Sequence, residues 1–232
     1  MYAQFLQNRK NDGKNAFAMR HIGVADSFPG VSIDPRMNWF TSTYLFTRRV
    51  LQAQSLKSAA WVAPMRQEFL TQYVKLNESL AKDSAKTIQS LTMKPYQDEI
   101  KALANKRPAG HRYVWTFHRE VTPTRIISLR AADGSFDKEM PASGSRIGVQ
   151  ALVRFDTEQS VEIYDRQGKA LHTPAHAAGA QPSRLGKTHH AVPAARKRVT
   201  EYLVLDKAMY ELDAAWRFRA RYTPTPGRTV AV

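Results

Sequence analysis

The stretch RIGVQALVRFDTEQSVEIYDRQG, residues 146–168, decides the fold class, because it alternates side chains with the two-residue period of β-structure. It contains two candidate strands, residues 146–155 and 160–164. The tetrapeptide Asp165-Arg-Gln-Gly168 then has Asp first and Gly fourth, which is typical of a type I turn. The positions predicted to pack inside the sheet, including those of the later strand 198–206, are Val153, Phe155, Val161, Ile163, Tyr202 and Val204.

Four more segments have the strand period, namely 111–119, 124–131, 198–206 and 216–222. The first of them alternates three aromatic residues with polar or smaller ones, which predicts an aromatic inner face. Short turn-forming stretches separate most of the segments, and Thr157 and Gln159 are interpreted as part of such a turn. The sequence therefore predicts an antiparallel meander of six strands.

The half of the chain before residue 111 has the helical period instead. We expect a first helix at about residues 35–60, with Asp34 capping it, and shorter helices at about 84–91 and 95–106. A long helix should follow Pro64, because apolar residues there recur every three or four positions. Those residues are Met65, Phe69, Tyr73, Leu76 and Leu80.

Helices followed by an antiparallel meander indicate an α+β fold in which the helices cover one face of a bent sheet. The expected organisation is an extended basic arm, a first helix, the α+β domain with a loop insertion, and a tail. Their bounds are 1–35, 36–60, 61–224 with the insertion at 170–198, and 225–232.

Charge is the most informative bulk property of the 232-residue chain, since Lys and Arg number 35 against 20 acidic residues, a net charge of +15. A surplus of this size predicts a polyanionic partner, either nucleic acid or an anionic membrane surface. The chain has no cysteine, which excludes a disulfide framework, a thiolate zinc site and a cysteine nucleophile. No apolar run is long enough to span a bilayer, so any membrane contact should be peripheral.

The surplus of positive charge lies mainly in two segments, residues 1–60 with +5 and residues 171–198 with +5 and no acidic residue. The first 25 residues have the basic bias of a mitochondrial targeting segment, and we interpret them as a mature arm. Interleaved basic and aromatic residues suit RNA, because phosphates give affinity and rings stack on unpaired bases. The candidate RNA- or ribosome-binding residues are Arg9, Lys10, Lys14, Arg20, Arg48 and Arg49, and the candidate RNA- or lipid-binding residues of the insertion are Arg184, Lys187, Arg196, Lys197 and Arg198.

Catalytic and metal chemistry has weaker support in the sequence. His172, His176, His189 and His190 cluster in the insertion, but Pro174 opposes a helix there and no carboxylate is near. The chain contains no phosphate-cradling glycine loop and no Gly-x-Ser-x-Gly elbow. We therefore predict that the protein is not an enzyme and uses neither a metal nor a cofactor.

Two segments carry a resemblance to a known family. They are VRFDTEQSVEIYDRQG at 153–168 and VTEYLVLDK at 199–207, the second followed by Trp216. This pairing resembles the mitochondrial large-subunit ribosomal protein forty-five and its fungal counterpart, the inner-membrane ribosome receptor. That family shares a cone-shaped domain with the C-terminal part of the scaffold of the mitochondrial import motor. The insertion at 170–198 is longer than expected for the family, and residues 1–35 match no part of it.

The resemblance implies a matrix protein, peripheral on the inner membrane, that is a structural part of the large ribosomal subunit near the polypeptide exit. Its implied partners are the large-subunit rRNA, neighbouring ribosomal proteins, anionic inner-membrane lipid, the insertase machinery and the nascent chain. Two alternatives remain open: an import-motor type of adaptor without RNA binding, and a small enzyme of the cone-shaped class with a convergent histidine and carboxylate.

Overall fold

A computed structural model describes residues 34, 36–133, 147–175, 192–208 and 214–223 of the chain. Within these ranges, four helices come first and four strands follow. The helices are α1 (Trp39–Leu51), α2 (Ala63–Ala81), α3 (Ala85–Leu91) and α4 (Tyr96–Asn105). The strands are β1 (Arg112–Asp133), β2 (Ile147–Tyr164), β3 (Lys197–Ala208) and β4 (Arg217–Tyr222).

The four strands form one antiparallel sheet in the order β1-β2-β3-β4, so the predicted α+β class and meander topology are confirmed. The prediction of six strands is wrong. Strand β1 joins the two predicted segments before residue 133, and β2 joins the two segments on either side of Thr157. Register shifts in β1 around Pro123 allow pairing to continue past a residue that lacks a backbone donor.

Alternation along the strands separates two faces of the sheet. The inner face, which packs on the helices, carries Val153 and Phe155 of β2 and Leu203 and Leu205 of β3, all buried in one core cluster. The prediction that Tyr202 and Val204 pack inside is therefore wrong. Those two residues are only half-buried and lie on the opposite, outer face, because the register pairs Leu203 with Val153.

The predicted apolar stripe of α2 does face the sheet. The Phe69 ring meets Trp216 edge-on at 5.0 Å between centroids, and the Tyr73 ring stacks on Phe155 at 4.5 Å. The apolar buried side chains of α2, α3 and α4 all belong to this same core cluster, which confirms that helices cover one face.

Helix α1 is shorter than predicted, and few of its described side chains are buried. It begins at Trp39 rather than Pro35, after Asn38, whose side-chain oxygen accepts the backbone N–H of Phe40. It ends at Leu51, and the following segment is held by a hydrogen bond from Trp61 Nε1 to the carbonyl of Arg49 at 3.0 Å. The side chains of Phe40 and Tyr44 in this helix are 73% and 67% exposed.

Candidate nucleic-acid interface

The predicted basic residues divide between described and undescribed parts of the chain. Arg48 and Arg49 occupy the last turn of α1, with Arg48 exposed and Arg49 half-buried. Arg196, Lys197 and Arg198 are exposed at the start of β3. The remaining candidates lie outside the described residues; they are Arg9, Lys10, Lys14, Arg20, Arg184 and Lys187.

Two of the candidates assigned to the insertion are strand residues. Lys197 pairs with Gln159, and Arg198 pairs with Glu158, so β3 begins at Lys197, one residue before the predicted start at 198. Because side chains alternate across a strand, Lys197 points to the inner face, and Arg198 points to the outer face. The three consecutive basic residues therefore do not act as one loop patch.

On the outer face, the carboxylate of Asp156 is almost fully buried and is shared by two arginines. Arg198 holds it with two parallel hydrogen bonds, from Nε and Nη2, each 2.8 Å long. Arg154 Nη2 donates to the same carboxylate at 2.9 Å. Hydroxyls of Thr122 and Thr200 donate at 2.8 and 3.2 Å. The paired, charge-assisted bonds fix the guanidinium of Arg198, and the single bond anchors that of Arg154.

A second carboxylate extends the group along the strand. Glu158 forms an ion pair with Arg119 of β1, and the positive charge of Arg196 also acts on it. Arg119, Arg154, Arg196 and Arg198 thus surround Asp156 and Glu158, and we call these four arginines the arginine cluster. Four cations against two anions leave a positive surplus at this part of the outer face.

Electrostatics keep these groups ionised. The hydrogen bonds from Arg198 hold the pKa of Asp156 well below its usual range, although burial alone would raise it. The bond from Arg119 likewise lowers the pKa of Glu158, and Asp156 raises the pKa of Arg198. Asp156, Glu158 and Arg198 are therefore ionised at physiological pH, and the guanidinium groups of the arginine cluster can bind phosphate oxygens.

Sequence reasoning did not single out Arg119 or Arg154. Both come from strands whose charges nearly balance along the chain, so neither stands in a basic run. They join Arg196 and Arg198 only through strand pairing. The motif at 153–168 could have indicated Arg154, because Arg154 and Asp156 are two residues apart in it and hence share a face of the strand.

The inner face contains an open cleft of about 570 Å³ between α2 and the ends of β1, β2 and β3. Trp115 and Val161 provide apolar walls, and His172, Lys197 and Glu201 provide charged or polar ones. A histidine and a carboxylate do converge here, which is the arrangement that a small cone-shaped enzyme would need.

Both groups already have structural partners. His172 Nδ1 accepts the backbone N–H of Ile163 at 3.0 Å, and Nε2 donates to the carbonyl of Val192 at 2.7 Å. His172 thereby ties the two ends of the insertion to β2, where the isolated bridge between Pro174 and Ala194 joins them. His172 is half-buried and has a structural role at this position.

Glu201 accepts a hydrogen bond from the Tyr73 hydroxyl at 2.6 Å and another from Arg221. Burial, together with the charge of Glu201, raises the pKa of Tyr73 well above its ordinary value, so this hydroxyl stays protonated and donating. His172, Glu201 and Tyr73 thus help to hold the insertion, β3 and α2 together.

The described ranges show neither a metal site nor a membrane-spanning helix. They contain no group of three or more His, Asp or Glu side chains placed to hold a metal ion. None of α1 to α4 has both the length and the hydropathy that crossing a bilayer requires.

Comparison with known proteins adds little. No protein family matches the chain, and no curated protein does. Among solved structures, the intermembrane space region of the chloroplast protein ARC6 matches with a TM-score of 0.30 and 14% identity, over 81% of this chain and 97% of that one. A likeness this low carries no argument about function.

Replacing Asp156 by Asn should destabilise the fold, because Arg154 and Arg198 would then face each other without an anion. We expect the free energy of unfolding at pH 7 to fall by about 3 kcal/mol, measured by urea denaturation. The folded-state pKa of Asp156 lies below its unfolded value, so its contribution is complete above about pH 4 and declines as pH falls further.

The difference between wild type and Asp156→Asn should therefore shrink in acid. The matched control is Asp98→Asn at an exposed position in the first turn of α4, which should cost less than about 1 kcal/mol. Equal losses for the two variants would contradict a structural role for the Asp156 carboxylate.

Proposed function

We propose that this protein is a structural, RNA-binding component of the mitochondrial large ribosomal subunit near the polypeptide exit. It acts in the matrix, peripheral on the inner membrane, and tethers the ribosome for co-translational insertion of nascent chains. It is not an enzyme in this proposal. The observation that carries it is the arginine cluster, a positively charged group on the sheet face that the helices leave open, in which Arg119, Arg154 and Arg198 are held by carboxylates.

Exposure and residue type both favour a phosphate partner. The side chains of Arg119 and Arg198 are 71% and 57% exposed even though each is paired with a carboxylate. All four cations of the cluster are arginine, whose planar guanidinium can bind a carboxylate and a phosphate oxygen through different N–H groups. Because two of them are held by Asp156, little side-chain entropy is lost when RNA binds.

The ribosomal part of the proposal comes from the resemblance at 153–168 and 199–207. The structure gives those segments one physical role, since they are adjacent strands that carry the core on one face and the cluster on the other. Asp156 belongs to the first segment and its partner Thr200 to the second. Proteins that share these two strands would present the same outer face to rRNA and to neighbouring ribosomal proteins.

The membrane part is supported by α1. Phe40 and Tyr44 are four residues apart, share one face of the helix and are largely exposed, and Arg48 continues the same face. The helix contains no acidic residue. Exposed aromatic rings followed by arginine are typical of helices that lie in the interface of an anionic bilayer. We propose that this face meets the inner membrane beside the insertase machinery.

The ribosomal proposal predicts co-sedimentation with the large mitoribosomal subunit through moderate salt. A double variant, Arg119→Glu with Arg196→Glu, should dissociate at clearly lower salt, because reversed charges repel rRNA phosphates. The control reverses two exposed lysines on the helices, Lys86→Glu with Lys101→Glu, and should sediment like wild type. Wild-type protein that stays soluble at every salt concentration would refute the proposal, and identical behaviour of the two double variants would remove the role of the cluster.

The membrane proposal predicts flotation with vesicles that contain cardiolipin, weakening steeply as salt is added. Replacing both Phe40 and Tyr44 by Ser should reduce the bound fraction several-fold, since the rings would no longer be buried in the headgroup region. Leu103→Ser, which alters an apolar residue of α4 that is 59% exposed, is the control and should have no effect. Equal binding to neutral vesicles would rule out the electrostatic account.

A further inference from the structure

A row of aromatic and basic side chains crosses the outer face of the sheet beside the arginine cluster. Arg154 of β2 pairs directly with Tyr202 of β3, and Tyr202 pairs with Tyr222 of β4. Directly paired residues on neighbouring strands put their side chains on the same face. One guanidinium and two phenol rings therefore stand in a line, across strands that are about 5 Å apart.

The two rings are close enough to act together. The Tyr202 and Tyr222 centroids are 6.5 Å apart, with the ring planes at 75°. Tyr222 is 39% exposed, and Tyr202 is half-buried against it. The edge-on contact fixes the orientation of both rings, so a planar ligand would meet a preformed aromatic surface.

The charges next to this row are also in place before a ligand arrives. Arg154 is held by Asp156, two residues along β2, and Asp156 in turn holds Arg198 from the neighbouring strand. Side chains two residues apart on one face are about 7 Å apart. Arg154 belongs both to this row and to the arginine cluster, so the two tyrosines and the cluster are adjacent on the outer face.

We propose that this outer face binds an unpaired segment of RNA, with bases stacked on Tyr202 and Tyr222 and phosphates bound by Arg154, Arg198 and Arg119. This inference rests on the proposed function and specifies the form of RNA that the site takes. Base–aromatic stacking requires bases that are not paired within a helix, whereas a duplex presents mainly its phosphates and sugars.

A lipid surface fits this face less well than RNA does. Two buried carboxylates, Asp156 and Asp206, lie on it, and each is paired with arginine rather than lysine. Transfer of such ion pairs into a bilayer interface is costly, while phosphate groups can share the remaining N–H donors of the arginines.

The test measures binding of the full-length protein to a short unstructured RNA, to the same sequence as a duplex, and to cardiolipin vesicles, each over a salt series. Wild type should bind the single strand more tightly than the duplex. Tyr202→Ala and Tyr222→Ala should each weaken single-strand binding by about fivefold or more without changing its salt slope. Arg119→Ala should instead lower the slope by about 0.7, the value for one lost phosphate contact.

Conservative variants provide the matched controls. Tyr202→Phe and Tyr222→Phe retain the rings and should bind within about twofold of wild type, which separates stacking from loss of fold. Preference for duplex, or unchanged binding by the alanine variants while Arg119→Ala weakens it, would overturn the inference and leave the proposed function intact. Loss of vesicle binding alone in the tyrosine variants would overturn it in favour of lipid. Absence of binding to either RNA at low salt would count against the proposed function itself.

Discussion

Strand β2 is the constraint on which the rest of the structure depends. It pairs with β1 on one side and with β3 on the other, so its alternation fixes which residues of both neighbours share a face. The side chains of Val153 and Phe155 pack in the core beneath α2. Those of Arg154 and Asp156, which alternate with them, lie on the outer face. A shift of one residue in this register would bury arginine in the core and expose phenylalanine, so the core also holds the outer face in position.

Much of the fold could be read from the sequence because its signals are local. The three-to-four residue spacing that begins at Met65 and the turn at Asp165 both have the predicted structure. The polar segment around Thr157 resembles a turn in the sequence, because burial of polar residues there cannot be anticipated locally. Gln159 finds a distant partner, since its Nε2 lies 3.4 Å from the hydroxyl of Tyr73, a residue 86 positions away.

The candidate interface was predicted only in part for the same reason. Alternation in β3 predicts that Tyr202 and Leu203 lie on opposite faces of the sheet. Which of them faces the core depends on the register with β2, where Val153 pairs with Leu203. Basic runs in the sequence identified Arg196 and Arg198. Arg119 and Arg154 are isolated along the chain and join them through strand pairing, which only the three-dimensional structure supplies.

Stability and RNA binding are linked through one carboxylate, since Asp156 is expected to stabilise the outer face of the sheet and also orients the arginines that are proposed to meet rRNA. Ultraviolet cross-linking of RNA to protein in intact mitochondria, followed by mass spectrometry of the linked peptides, tests this most directly. The account predicts large-subunit rRNA attached to peptides that contain Tyr202 or Tyr222. Cross-links confined to helices α2 to α4, or none on this chain, would contradict it.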